Sequence, residues 1–346
     1  MPAELTIKKS GMAVVTDLGR HATHLGQSTN GALDQFAARV ANTLVGNEHN
    51  APLIEMTLAD FRMTADSDLL IAVTGATAEI RIDGVLRSSW ETMPLMSGQL
   101  LEIQQKGNGL RNYLSVSGNL QVPMLLGSCA PDTLIGFGTH LSDGARVGAR
   151  HNTPLTALKY MDVPLARPDV PLRPQNNKPV VTVTEGPDYH EFGASIRRLF
   201  EEKYTVGARS NHIGMRLQGR VPVRQTIGEL LSTGVPLGAV EVPSENELLV
   251  LHRGRGVTAG YAVPAVVTAV GLDILAQSRP GDLLTFEMVE TREALERVRE
   301  QHRQLKHLRS RMEIILRGHG ISPAWDIESH GSPPRAHSHF ATRRPA

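Results

Sequence analysis

With 346 residues, the chain is long enough for two domains of ordinary size, and its single cysteine, Cys129, excludes an intramolecular disulfide. Aromatic residues make up only 4%, and residues 1–290 carry a net charge of −4 within a total of +1, which argues against nucleic acid as a partner. No apolar run of about 18 residues is present to span a membrane, and the start lacks the apolar core of an export signal, so we expect a cytoplasmic protein.

The first half of the chain is dominated by short β-type runs that turn residues separate. Asp83 and Gly84 join two such runs, and this pair favours the positive φ angles of a type I′ hairpin turn. One helix is predicted in the segment GALDQFAARVANTLVGN, residues 31–47. Its apolar residues recur at helical spacing, and Gly46 stands where a C-terminal cap belongs.

A proline-rich segment divides the chain. Five prolines between residues 162 and 179 break both helix and sheet, so we predict a linker over residues 162–179. Strand patterns resume beyond it. The predicted fold class is therefore mainly β with a few short helices, in a first domain over residues 1–161 and a second over residues 180–290.

The character of the sequence changes after Val289. Residues 291–318 are rich in charged and helix-favouring types, with apolar residues at roughly heptad spacing. This pattern predicts a terminal helix that packs on the body of the protein or on a partner. The Pro, Gly, Ser and His content of residues 319–346 predicts a disordered tail.

The most specific motif lies in residues 14–58. A strand leads into Asp-Leu-Gly-Arg, Gly-Ala-Leu-Asp opens the helix, Ala-Asn-Thr-Leu-Val-Gly-Asn closes it, and a glutamate stands in the next strand. The glycine and polar positions of this motif are Asp17, Gly19, Arg20, Gly26, Gly31, Asp34, Asn42, Gly46, Asn47 and Glu55. The segment resembles the N-terminal signature of the allophanate hydrolase subunit 2 family, which includes the C subunit of 5-oxoprolinase and the biotin-dependent carboxyltransferase domain, subdomains C and D.

Two further stretches extend the resemblance to about residues 5–290. The matching positions are Tyr113, Gly118, Pro123, Gly127 and Ser128, and then Ser210, Gly214, Arg216, Leu217, Ser232, Gly234, Gly238, Pro243, Thr258, Gly260, Tyr261, Asp273, Gln277, Pro280, Gly281 and Asp282.

Several polar positions depart from the family pattern. Asn211 and His212 stand for Asp and Arg, Glu241 stands for Gln, and GRGVTAGYA at 254–262 replaces Asp-x-Gln-Thr-Thr-Gly-Gly-Tyr-Pro. Asparagine in place of aspartate removes a charge and a general base. The departures leave open whether the chain itself is catalytic.

The resemblance implies a fold of two tandem cyclophilin-like β-barrel domains followed by the C-terminal helix. It also implies that the chain works beside a subunit 1-like protein and, with a lactam-utilisation subunit, uses ATP to open the lactam of 5-oxoproline, a small-molecule substrate. ATP can then be bound by the partner instead of this chain.

Two alternative functions follow from the same resemblance. The chain can be a non-catalytic regulatory partner that binds a subunit 1-like kinase inhibitor. It can also be a carboxyltransferase subunit that moves CO₂ from carboxybiotin to a urea-like nitrogen. Biotin would then arrive on another chain, because the Met-Lys-Met attachment sequence is absent.

Our hypothesis for the functional site is a cleft between the two domains, because the matched polar residues fall in loops and at the ends of elements. Arg20, Asp34 and Arg216 are predicted to be catalytic, with the two guanidinium groups holding an anionic substrate. The predicted substrate-binding residues are Asp17, Asn47, Asn211, Thr258 and Tyr261.

Structural roles compete with these assignments. Asp34 and Asn47 can instead cap the helix, and Arg20 can instead form a salt bridge with Asp17 or Glu55. No metal site is predicted, because no further ligands with suitable spacing accompany the two histidines of the segment HATH.

Overall fold

Two β-rich bodies and a long C-terminal helix make up the structure, a computed structural model that describes residues 3–150, 166–167, 179–225, 228 and 230–325. Apart from residues 166, 167 and 179, the predicted linker lies outside the described residues. The prediction of a mainly β fold is confirmed. Within the described ranges, no helix combines the length and the apolar character needed to cross a membrane.

The first body contains, among its described residues, thirteen strands in two sheets. They are β1 (Ala3–Lys9), β2 (Met12–Thr16), β3 (Leu53–Thr57), β4 (Asp60–Ala65), β5 (Leu69–Gly75), β6 (Ala78–Ile82), β7 (Val85–Arg87), β8 (Thr92–Leu95), β9 (Leu100–Gln105), β10 (Arg111–Val116), β11 (Leu120–Gln121), β12 (Thr139–His140) and β13 (Arg146–Ala149).

The two sheets face each other across one apolar core. Their strand orders are β11-β13-β1-β4-β9-β6-β7 and β12-β2-β3-β10-β5-β8. Leu5 of the first sheet and Ile54 and Leu114 of the second belong to the same buried cluster. In this body the strands therefore form two separate sheets and not one closed barrel.

The predicted hairpin turn is confirmed at the edge of the first sheet. Asp83 and Gly84 join β6 to β7 with φ angles of 49° and 78°. Both values lie in the left-handed region that a type I′ turn requires.

Helix α1 (Gln35–Leu44) covers the outer face of the second sheet. The side chain of Asp34 accepts a hydrogen bond from the N–H of Ala37 and caps the first turn. Every residue of β5 and β10 is buried, because one face of these strands meets the core and the other meets α1. This double burial explains the near-continuous apolar sequence of β5.

The second body is a closed seven-stranded barrel with the order β14-β21-β18-β19-β16-β15-β22, and a two-stranded ribbon, β17 with β20, lies beside it. The elements are β14 (Val180–Glu185), α2 (Arg198–Glu201), β15 (Tyr204–Val206), β16 (Gly214–Gln218), β17 (Thr233–Gly234), β18 (Ala239–Ser244), β19 (Glu247–Leu251), β20 (Thr258–Ala259), β21 (Ala265–Val267), α3 (Ala269–Leu275) and β22 (Leu283–Met288).

Helix α4 (Thr291–Gly318) returns from the barrel to the first body and packs on α1. Leu308, Met312 and Leu316 are buried against α1 in one cluster, which Ile321 and Trp325 join. The tail predicted to be disordered from residue 319 therefore begins with packed residues. The rest of that predicted tail, residues 326–346, lies outside the described residues.

Candidate functional site

A cleft between the two bodies encloses about 300 Å³. The first body contributes residues of β2, β3, β10 and β12 and of the loops before α1 and β12. The second contributes the loop that leads into β16 and Gly254 of the loop after β19. The polar side chains on its walls are those of Thr16, Asn30, Glu55, Thr57, Arg111, Thr133, His140, Ser210, Asn211 and His212. A cavity of this size and polarity suits a small polar molecule.

A hydrogen-bonded seam around Gln277, two residues beyond α3, fixes the two bodies relative to each other. Its Oε1 accepts from the backbone N–H groups of Leu110 and Arg111, each at 3.0 Å. Its Nε2 donates to Oδ2 of Asp34 at 2.9 Å and to the carbonyl of Arg111 at 3.1 Å. Nearby, the N–H of Gln35 donates to Oδ1 of Asp273 at 3.0 Å. These contacts therefore fix the position of the barrel on the first body beside the cleft.

Arg111 and Glu55 form the charged centre of the cleft. They lie on the neighbouring strands β10 and β3, with Nε of Arg111 3.7 Å from Oε1 of Glu55. The other carboxylate oxygen accepts from the N–H of Leu33 at 3.0 Å, and Nη1 of Arg111 donates to the carbonyl of Ala276. Nε of Arg111 is buried and has no hydrogen-bond partner among the described residues. Because the guanidinium of Arg111 lines the cleft, its positive charge is suited to bind a carboxylate ligand.

His212 faces Arg111 from the second body. Its Nε2 lies 3.3 Å from Oγ1 of Thr133, so the two side chains bridge the cleft. Burial lowers the pKa of His212, the positive charge of Arg111 lowers it further, and Asp132 opposes the shift. This direction favours the neutral imidazole, in which one ring nitrogen donates a hydrogen bond and the other accepts one.

Of the eight predicted site residues, only Asn211 lines the cleft. Its Oδ1 accepts from the N–H groups of Ile213 and Gly214 at 2.8 and 3.2 Å and so fixes the turn before β16. This turn presents His212 to the cavity.

Asp17 and Arg20 lie behind the cleft wall. Nη1 of Arg20 pairs with Oδ2 of Asp132 at 3.2 Å, and its Nη2 donates to the carbonyl of Ala130, so neither of the expected counter-ions, Asp17 and Glu55, is used. Asp17 accepts from Oγ of Ser128 at 2.6 Å and from the N–H of Cys129 at 2.8 Å. Both residues brace the loop that carries Pro131 and Thr133 into the cleft, and neither touches the cavity.

Asp34 and Asn47 lie at the two ends of α1. Asp34 caps the helix and binds Gln277, which places it in the seam between the bodies. Nδ2 of Asn47 donates to the carbonyl of Val116 at 2.7 Å, and its Oδ1 accepts from the N–H of Gly118 at 3.0 Å. Asp34 therefore caps the helix, as the structural interpretation of the sequence proposed. Asn47 links the end of α1 to β10.

The remaining predicted residues lie on the outside of the second body. Arg216 pairs with Glu247 across β16 and β19 at 2.5 Å. Thr258 lies in the β17–β20 ribbon, and Tyr261 lines a separate depression beside Phe192. None of these three residues is among those that line the cleft, because the barrel docks on the first body through α3 and the loop before β16.

Sequence reasoning missed Arg111 and His140, and it assigned no site role to Glu55 or His212. A signal was present for Glu55, since it is the charged residue within the largely apolar strand β3. Such residues are rarely buried without a partner or a function.

Both bodies match a known protein family. A model of the carboxyltransferase domain, subdomain A and B, matches residues 25–288, which is more than half of the chain. This chain belongs to the carboxyltransferase domain family. The subdomain designation is thus A and B, and not C and D as the motif resemblance implied.

Individual relatives agree with this assignment. The chain is 35% identical to the 5-oxoprolinase C subunit of Escherichia coli over 318 residues, which cover 89% of this chain and 98% of the relative. It is 27% identical to urea amidolyase of Saccharomyces cerevisiae, over 76% of this chain and 15% of that protein. The crystal structure of TTHA0988 superposes with a TM-score of 0.73 at 34% identity, over 83% of this chain and 55% of that one.

Proposed function

We propose that this chain is the C subunit of an ATP-dependent 5-oxoprolinase complex. The observation that carries the proposal is the likeness to the 5-oxoprolinase C subunit of E. coli, which extends over 98% of that relative. The match covers 89% of this chain.

The chemistry of the cleft is compatible with 5-oxoproline, a small lactam that carries one carboxylate. In the proposed complex, the guanidinium of Arg111, which lines the cleft, binds the substrate carboxylate. His212 and Thr133, 3.3 Å apart across the cleft, are placed to hydrogen-bond the lactam amide. Together, Arg111, His212 and Thr133 would hold the lactam ring in one orientation in the cavity.

The complex, and not this chain alone, is proposed to use ATP. We propose a subunit 1-like protein and a lactam-utilisation subunit as its partners, with ATP bound by a partner. In this scheme the cleft positions the lactam, and hydrolysis of ATP elsewhere in the complex supplies the free energy for opening the ring.

The urea amidolyase relative favours carboxyl transfer as a second candidate function. That likeness is weaker and covers only 15% of the relative. In this alternative a carboxybiotin carried by another chain would enter the cleft, and a urea-like nitrogen would take the place of the lactam. A regulatory role without chemistry is the third candidate.

Reconstitution of the complex with its companion subunits tests the proposal. We expect ATP hydrolysis that depends on 5-oxoproline and releases glutamate. ATP hydrolysis with biotin and urea, but not with 5-oxoproline, would favour the second candidate. A stable complex without either reaction would favour the regulatory role.

A further inference from the structure

Glu55 places a carboxylate among uncharged neighbours on the floor of the cleft. It stands in the middle of β3, where it interrupts a largely apolar strand, and its side chain lines the cavity and is 12% exposed. Its register partners on the adjacent strands are Val14 of β2 and Tyr113 of β10, and neither is charged. Removing most of the solvent from a carboxylate costs free energy, so its contacts show what else the position requires.

The two oxygens of this carboxylate have different surroundings. Oε2 accepts from the N–H of Leu33 at 3.0 Å. Oε1 lies 3.7 Å from Nε of Arg111, which is too long for a hydrogen bond, and it accepts none from the other described residues. A carboxylate can only accept hydrogen bonds. A ligand that meets Oε1 must therefore bring a donor.

Arg111 makes the opposite demand on a ligand. Its guanidinium can only donate, and it lines the same cleft. Glu55 pairs with Tyr113 in the ladder of β3 and β10, so Arg111, two residues before Tyr113, is its diagonal neighbour on the same face of the sheet. Together the two side chains suit a ligand that carries a donor and an anionic acceptor next to each other.

The N–H and the carboxylate of 5-oxoproline are attached to the same carbon atom, so the molecule carries such a pair. Its ring methylene groups would face Met12 and Val14, the apolar residues of β2 that line the cleft beside Glu55. The carbonyl oxygen of the lactam then remains for His212 and Thr133.

We propose that Glu55 is a specificity-determining residue, whose Oε1 accepts the ring N–H of the substrate while Arg111 holds the carboxylate. This inference rests on the proposed function, because it takes 5-oxoproline as the substrate. The pair selects carboxylates that carry an N–H on the adjacent carbon. It rejects the lactone of the same shape, in which a ring oxygen without hydrogen would face the carboxylate of Glu55.

Glu55→Gln tests this role with little change in shape. The N–H of Leu33 needs an oxygen as its acceptor, so the amide oxygen takes the place of Oε2 and the NH₂ group takes the place of Oε1. The acceptor that faces the ligand thereby becomes a donor, which suits the ring oxygen of the lactone and not the N–H of the lactam.

Glu102→Gln is the matched control. Glu102 also pairs with an arginine of a neighbouring strand, since its Oε1 lies 3.1 Å from Nε of Arg62. Both residues belong to the other sheet of the first body, and neither lines the cleft.

Calorimetric titration of the full chain and of the reconstituted complex measures Kd for 5-oxoproline and for its lactone analogue, 5-oxotetrahydrofuran-2-carboxylate. We expect the wild type and Glu102→Gln to prefer the lactam about tenfold or more, and Glu55→Gln to lose or reverse this preference. The ratio of the two Kd values is the informative quantity, because the loss of the negative charge beside Arg111 strengthens the binding of both anions alike.

An unchanged ratio in Glu55→Gln would overturn the inference and show that Glu55 only neutralises Arg111. So would a wild-type protein that binds no 5-oxoproline either alone or in the complex.

The same measurements separate this inference from the proposed function. If the wild type shows the expected preference but the complex forms no glutamate, the role of Glu55 stands and the enzymatic proposal fails. If glutamate forms and Glu55→Gln keeps the wild-type ratio, only the role of Glu55 is wrong. If 5-oxoproline neither binds nor reacts, both are wrong.

Discussion

Arg20 and Asp132 are 112 positions apart in sequence and form an ion pair of 3.2 Å, with side chains 0% and 3% exposed. The guanidinium also lies 5.7 Å from the ring centroid of Phe137. This pair fixes the loop before β12, and through it the wall of the cleft that carries Thr133. Arg20 therefore supports the wall of the cleft without lining the cavity.

Arg20→Ala should destabilise the protein by about 3 to 5 kcal/mol, because it leaves the buried carboxylate of Asp132 without its cation. Urea unfolding followed by circular dichroism measures the loss. The double variant Arg20→Ala/Asp132→Ala should be less destabilised than the sum of the single variants. A fully stable Arg20→Ala protein that has lost only activity would instead support the catalytic role predicted from the sequence.

Arg111→Lys should weaken substrate binding in the reconstituted complex. Lysine keeps the charge but loses the planar fork of N–H groups that can bind a carboxylate in a fixed geometry. We expect KM for 5-oxoproline to rise about tenfold, with a smaller change in kcat. Steady-state ATP hydrolysis measures both constants.

Arg216→Lys is the matched control for Arg111→Lys. Arg216 is partly exposed and pairs with Glu247 on the outside of the barrel. Its replacement should leave KM unchanged. A larger effect at Arg216 than at Arg111 would place the anion site on the barrel surface and contradict the assignment of the cleft.

Glu241 on β18 makes the stability of the barrel depend on pH. The side chain is buried, its Oε1 has no hydrogen-bond partner among the described residues, and burial raises its pKa from 4.5 to about 7. The unfolded chain thus releases this proton at lower pH than the folded chain. Stability should therefore fall as pH rises from about 4.5 to about 7 and remain level above that range.

Glu241→Gln cannot ionise, and it restores the residue that the family pattern carries at this position. We expect it to be more stable than the wild type at pH 8 by about 1 to 3 kcal/mol and to lose most of this pH dependence. Calorimetry at pH 5 and pH 8 measures the difference. Glu287→Gln, an exposed carboxylate on β22, is the control. Equal pH profiles for the wild type and Glu241→Gln would refute this account.

Trp325→Ala should cost about 3 to 5 kcal/mol, the usual range for a buried aromatic side chain. The indole packs in the cluster between α1 and α4, with the guanidinium of Arg309 4.7 Å from its ring. The neighbouring N–H of Ala324 donates to the carbonyl of Gly46 at 2.7 Å. Thermal unfolding checks the prediction, and Ile314→Ala, on the exposed face of α4, should change Tm little. An unchanged Tm for Trp325→Ala would show that the segment after α4 is dispensable.

The sequence by itself determined the local elements and the family. Helix α1 follows from its apolar spacing and from Asp34 at its cap, and the β6–β7 turn follows from Asp83 and Gly84. These features depend on interactions between residues close in the chain, which local propensity encodes. The motif in residues 14–58 also indicated the family, because the residue types of a motif and the intervals between them can be read directly from the sequence.

Only the tertiary structure decided which polar residues face the cleft. Arg111 and Glu55 meet because β10 pairs with β3, and His212 reaches them because Gln277 docks the barrel on the first body. Arg20, a plausible ligand-binding residue by motif, is buried instead by Asp132 from a distant loop. Such pairings depend on strand register and domain docking between residues more than 50 positions apart, and local sequence patterns contain no information on them.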